Sequence, residues 1–102
     1  MKLGDVAKVV RSKNAGPFIL TFDILMPDET SFERLRSKGT LTRESVARAY
    51  GVSANEILEF DYYPFAKAIK FSLRRPVPSG APHDTDVYGA QQHVPLLEMD
   101  ID

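Results

Sequence analysis

The chain has 102 residues, 43% of them hydrophobic, a formal net charge of -1 at pH 7 and no cysteine. That length suits one domain, and the apolar share excludes disorder throughout. The near-neutral charge offers no electrostatic handle for nucleic acid or an anionic membrane, no apolar run approaches the roughly 18 residues needed to cross a bilayer, and the lack of cysteine excludes disulfides, thiol nucleophiles and cysteine-ligated metal.

The opening, MKLGDVAKVV, is too short and too interrupted for a secretory signal, so a cytoplasmic location is expected. A short strand is expected at residues 8–11, then a polar turn, RSKNAG, at 11–16. Gly16 permits a positive φ there, and Pro17 has no N–H for a ladder, so the next strand begins at Phe18. It carries the strongest alternation in the chain. Phe18, Leu20, Phe22, Ile24 and Met26 fall on one face, Thr21 and Asp23 on the other.

Two short helices follow. Thr30 and Glu33 have capping-box spacing, Phe32 and Leu35 give an apolar stripe, and Gly39 is placed to end the helix. Thr42 caps the second helix, Leu41 and Val46 have staple spacing, and Gly51 closes it. Helices this short cannot stand alone and must pack on the sheet. Ser53 and Glu56 suggest one more helical turn. Residues 57–63 and 67–74 read as a hairpin around Pro64 and Phe65. Leu58, Phe60 and Tyr62 alternate on one arm, Ile69, Phe71 and Leu73 on the other, with Lys70 and Ser72 facing out.

Residues 77–82 have a linker composition, and 83–93 are polar. Leu97, Met99 and Ile101 then alternate with Glu98 and Asp100, which predicts a last edge strand. The expected fold is α+β: a ferredoxin-like antiparallel sheet with short helices on one face and an extended C-terminal tail. Residues 1–102 form a single domain, with a polar arm at 76–94.

Three groups of residues invite chemistry. In the turn, Arg11, Ser12, Lys13, Asn14 and Gly16 offer two cations, a hydroxyl, an amide and backbone N–H groups, a set that suits a carboxylate or phosphate. The competing reading is a solvated loop with Asn14 and Gly16 chosen for turn geometry. In the tail, His83, Asp84, Asp86 and His93 are legitimate metal ligands, but their spacing matches no metal motif, so no metal is assigned and any cofactor is unknown. The competing reading is a polar loop with a short helical turn ending near Gln92. His93 with Asp84 or Asp86 is the candidate acid–base pair should the tail fold back. Third, the segment 79–93 as a whole is rich in hydrogen-bonding side chains, with Val87 and Tyr88 as anchors. Tyr88, Gln91, Gln92 and His93 are expected to meet the turn and share an anionic ligand with it. The alternative is a plain linker.

The stretches LGDVAKVVRSKNAGPFILTFDIL, AIKFSLRRPVPSG and DTDVYGAQQHVPLL resemble a small family known as a domain of unknown function, DUF4387. Its members resemble companions of AtuA-type proteins, named for acyclic terpene utilisation. The resemblance implies a catabolic setting and a large partner chain, and it supplies no catalytic residues. The RSKNAG turn lacks the acidic residue that the larger family places there. The expected function is an accessory subunit that docks on an AtuA-type chain and helps complete its site for an organic acid or acyl compound. The alternative is a stand-alone homo-oligomeric carboxylate-binding protein or enzyme. Either way an oligomer or a heteromeric complex is expected.

Overall fold

Two β-hairpins in series, separated by a pair of helices, make one four-stranded antiparallel sheet. The computed structural model describes residues 1–16, 18–74 and 94–101. The first hairpin joins β1 (Val9–Asn14) to β2 (Ile19–Leu25). The second joins β3 (Ile57–Tyr63) to β4 (Ala68–Arg74). Between them lie α2 (Glu29–Lys38) and α3 (Arg43–Tyr50), and the described ends supply two single-turn helices, α1 (Leu3–Val6) and α4 (Val94–Leu97). The strand order is β1-β2-β4-β3.

The α+β class and the antiparallel sheet are as expected, but the ferredoxin-like order is not the one seen. That order takes strands from both sides of two crossover helices, whereas here the four described strands come as two hairpins, in the order β1-β2-β4-β3. The expected edge strand at 97–101 is instead the helical turn α4 followed by an isolated bridge between Lys2 and Asp100. Pro95 explains the change. It cannot donate to a ladder but fits the first turn of a helix. The turn brings Leu96 into the core, and Ile101 follows it there, while Leu97 and Met99 are only half-buried. The ends of the described chain are then tied together: Leu3 N–H donates to Met99 O at 2.9 Å and Ile101 N–H to Met1 O at 2.9 Å. Gly4 packs closely at this junction: a Cβ on it would lie 3.1 Å from the Leu97 carbonyl oxygen, so a larger residue would push the two ends slightly apart.

The register places Leu20 opposite Leu73, Phe22 opposite Phe71 and Ile24 opposite Ile69, all on one face. Phe22 and Phe71 stack with ring centroids 4.5 Å apart and planes 9° from parallel. Phe32 and Leu35 of α2, Val46 and Ala47 of α3, Leu3 of α1 and Leu96 of α4 close over the same face in a single core. Phe18 is the exception to the predicted stripe. It sits in the turn just before β2 and is 54% exposed. On β3 a register irregularity between Ile57 and Glu59 turns Leu58 outward and leaves Ile57 buried, so the core face takes Ile57, Phe60 and Tyr62. Arg43 Nη1 donates to the Ile57 carbonyl and ties α3 to that irregularity.

The helix boundaries follow their caps. Thr42 Oγ1 accepts from Ser45 N–H and Thr42 N–H donates to Ser45 Oγ, a reciprocal box, and Gly51 closes α3 in a left-handed conformation at φ 67°. Gly39 ends α2 in the same way. The α2 cap, however, is Asp28 and not Thr30: Asp28 Oδ1 accepts from Ser31 N–H at 2.7 Å. That bond, from an amide at the positive end of the helix, holds the Asp28 carboxyl below its ordinary pKa. The Ser53 turn is a 3-10 helix, Ala54–Glu56, without a side-chain cap bond.

Two predictions follow from this packing. Phe22→Ala should lower unfolding free energy by about 3–5 kcal/mol, while Phe18→Ala, one residue before the same strand, should change it by less than about 0.5 kcal/mol; denaturant titration distinguishes them. Burial also raises the phenol pKa of Tyr50, opposed by a backbone hydrogen bond with Leu96, and that of Tyr62, opposed by the Arg36 charge. Their folded values lie above the unfolded one, so this contribution to stability is complete below pH about 10. It is lost as pH rises from there through the folded values, and thermal unfolding measured at stepped alkaline pH should show the decline begin near pH 10 and not below it.

Candidate functional site

The second face of the sheet is built from the residues that alternate with the core. Successive register positions across β1, β2, β4 and β3 bring Arg11, Asp23, Lys70 and Asp61 into one row. The signs run plus, minus, plus, minus. The adjacent row is Lys13, Thr21, Ser72 and Glu59, and on the other side of the charged row lie Val9, Leu25, Ala68 and Tyr63. Arg11, Lys13, Lys70, Glu59, Asp61 and Tyr63 are all exposed. The four helices lie on the opposite face.

Asp23 anchors the charged row. It is only 3% exposed although it belongs to the outer face. Arg11 Nε donates to its Oδ2 at 3.1 Å, and Lys70 Nζ stands 3.6 Å from Oδ1. Oδ1 is buried and has no hydrogen-bond partner among the described residues. A buried carboxylate is tolerated only when paired.

This geometry divides the predicted anion-binding group. Arg11, Ser12, Lys13 and Asn14 are not in a turn but on β1, paired with Asp23, Phe22, Thr21 and Leu20. Their polarity suits an edge strand with one face in solvent, where charged side chains also discourage unwanted pairing. Alternation then separates them. Arg11 and Lys13 face outward with the charged and polar rows, while Ser12 is buried on the core face and Asn14 lies half-buried on that same side. Only Gly16 remains in the turn, at φ 128°. The other predicted ligands, Tyr88, Gln91, Gln92 and His93, lie outside the described residues, as do His83, Asp84 and Asp86, so their meeting with the turn is not seen here. Among the described residues no three His, Cys, Asp or Glu side chains are grouped to hold a metal, and no helix is long and apolar enough to cross a membrane.

A second feature lies at the β3–β4 turn. Residues Pro64–Ala66 form a 3-10 turn, and Lys67 leaves it at φ 51°. Met26 N–H donates to Lys67 O at 2.8 Å and fixes the turn against the end of β2. Phe65 is fully exposed at the tip, beside a shallow cleft lined by Glu29, Pro64 and Lys67, and Tyr63 is exposed at the end of the strand below it. A larger open cleft, about 520 Å³, lies between Gly39, Thr40, Thr42, Ser45, Arg48 and Asp100. The Thr42 and Ser45 hydroxyls there are engaged with each other's backbone in the helix cap, and Thr40 Oγ1 donates to Ile101 O at 2.7 Å.

The family model described as Domain of unknown function (DUF4387) matches residues 3–100. The chain belongs to that family. No curated protein and no solved structure matches it. The residues that reading the sequence missed in this DUF4387 chain are Asp23, Lys70, Glu59 and Asp61. The period-two pattern had placed Asp23 and Lys70 on the outer face, but their adjacency depends on register, which one sequence does not reveal.

Since Arg11 pairs a buried carboxylate, Arg11→Ala is expected to cost about 1–2 kcal/mol of stability, the exposure of the arginine moderating the loss. The parallel Lys13→Ala change should cost less than about 0.5 kcal/mol. Denaturant unfolding of the two variants beside the parent checks the contrast.

Proposed function

We propose that this DUF4387 chain is a small accessory subunit. In this reading it docks on a larger, AtuA-type chain and helps complete that partner's site for an organic acid or acyl compound. The observation that carries docking is Phe65. A phenylalanine held wholly in solvent at the tip of a stiff hairpin contributes nothing to its own core, and aromatic side chains are the side chains most enriched as anchors at protein interfaces. Tyr63 widens the apolar end, and Glu29 and Lys67 give it a charged rim. The class of partner and of substrate rests on the resemblance of three sequence stretches to companions of AtuA-type proteins. A stand-alone carboxylate binder built on Arg11 draws less support, because that guanidinium is already engaged with Asp23.

Phe65→Ala should leave folding unchanged, its side chain having no neighbours to lose, and should weaken partner capture by at least about tenfold, as truncation of an interface anchor does. Affinity capture from native lysate with the parent and the variant, followed by identification of the retained chain, is the test. Retention of an AtuA-type chain by the parent and its loss from the variant is the expected result. Equal retention by both, or a partner of another class, contradicts the reading.

A further inference from the structure

We propose that the sheet face opposite the described helices is a self-recognition surface: two copies of the chain pack these faces together about a two-fold axis roughly parallel to the strands. The argument is one of charge order. The axis would run in the plane between the sheets, above the line that separates β2 from β4. Rotation about it places β1 over β3 of the second copy and β2 over β4, and leaves each row of residues facing the same row. In the charged row Arg11 then faces Asp61 and Asp23 faces Lys70, so every facing pair has opposite sign. In the adjacent row Lys13 faces Glu59 and Thr21 faces Ser72. In the third row Val9 faces Tyr63, while Leu25 lies over Ala68, which is itself fully buried and adds no contact.

The match is specific to that axis. A two-fold axis perpendicular to the strands would set each strand over its own copy, cation over cation and Asp23 over Asp23. A lateral slip by one strand brings Arg11 over Lys70. An isologous interface must be complementary to itself, and this face meets that condition in the two rows that carry charge, because those charges are antisymmetric about its midline. Asp23 adds a reason for closure. Its buried Oδ1 lacks a hydrogen-bond partner among the described residues, and the second copy's Lys70 comes over it in this arrangement. Four strands spaced about 4.8 Å apart and six or seven residues long, at about 3.3 Å per residue, span roughly 19 by 20–23 Å. That is about 400 Å² a side, or roughly 800–900 Å² over the pair, the size class of weak, reversible associations, in the aligned sheet-on-sheet packing of a sandwich. The arrangement shares Tyr63 with the docking end proposed above and leaves Phe65 outside the pair. It leaves the two β3–β4 turns at the same end of the pair, so one dimer would offer two Phe65 anchors.

Sedimentation equilibrium on the full chain, with Lys13→Glu and Glu59→Lys variants, tests the proposal. Both positions are exposed, so the fold should be kept. The parent should dimerise. Each single variant sets like charges against each other twice per dimer and should weaken self-association by at least about tenfold, less at high salt. An equimolar mixture of the two variants restores both contacts with opposite sign and should dimerise like the parent. A parent that stays monomeric throughout overturns the proposal; that result would follow if residues 75–93 of the same chain or a different protein occupied the face. Single variants that associate like the parent, or a mixture that gains nothing, would place the interface elsewhere and overturn it equally.

Discussion

The stacking of Phe22 on Phe71 is the contact on which this structure depends. It lies at the middle of the β2–β4 pairing, which joins the N-terminal hairpin to the C-terminal one in the sheet. Each hairpin is a local structure that would be marginal by itself. Bringing β2 against β4 closes a long loop, which costs chain entropy before any contact repays it. The helix pair shortens that loop and brings Phe32, Leu35 and Val46 to cover the joined strands. Tyr50 reaches from the end of α3 to within 5.3 Å of the Phe22 ring, and Phe60 lies 5.9 Å from Phe71. The core thus grows outward from one aromatic pair, and the elements at its margin are the ones that vary from the expected plan.

The same pairing fixes the other face. Once Phe22 and Phe71 are opposite each other, Asp23 must fall opposite Lys70, with Arg11 and Asp61 on the flanks. The alternating charge row is therefore a direct consequence of core register. Its outer strands are managed as edges: β1 carries Arg11 and Lys13, and β3 carries an irregularity at Leu58 that disrupts a regular ladder. Association by adding strands at either edge is discouraged by these features, while association through the face meets a surface that is complementary to itself. The exposed Phe65 belongs to a third region, the hairpin tip, which serves neither the core nor the face.

Much of the fold was legible in the sequence, for identifiable reasons. Alternation located β2, β3 and β4, and glycine after an amphipathic run located the ends of α2 and α3. The misread positions are those where two local rules compete. Asp28 and Thr30 both precede a residue three positions on that could complete a cap; the aspartate prevails, and the helix begins two residues earlier. Polar residues 11–14 resembled a turn, but an edge strand accepts polar side chains on its open side, and β2 offered a full ladder as far as Leu20. At the C-terminus the alternation of Leu97, Met99 and Ile101 suggested a strand, and Pro95 favoured a helical turn. The site was less legible. A constellation of Arg11, Ser12, Lys13 and Asn14 looked coherent in sequence and is split between two faces by the strand's own period. The coherent constellation, drawn from four strands, exists only through register.

The face opposite the helices is proposed to close by self-association. Lysine acetylation read residue by residue, at low and high protein concentration, tests it most directly. The account predicts that Lys13 and Lys70 become protected as concentration rises, while Lys38 at the end of α2 reacts at a constant rate. Protection of Lys38 without Lys13 and Lys70, or no concentration dependence at any lysine, would contradict it.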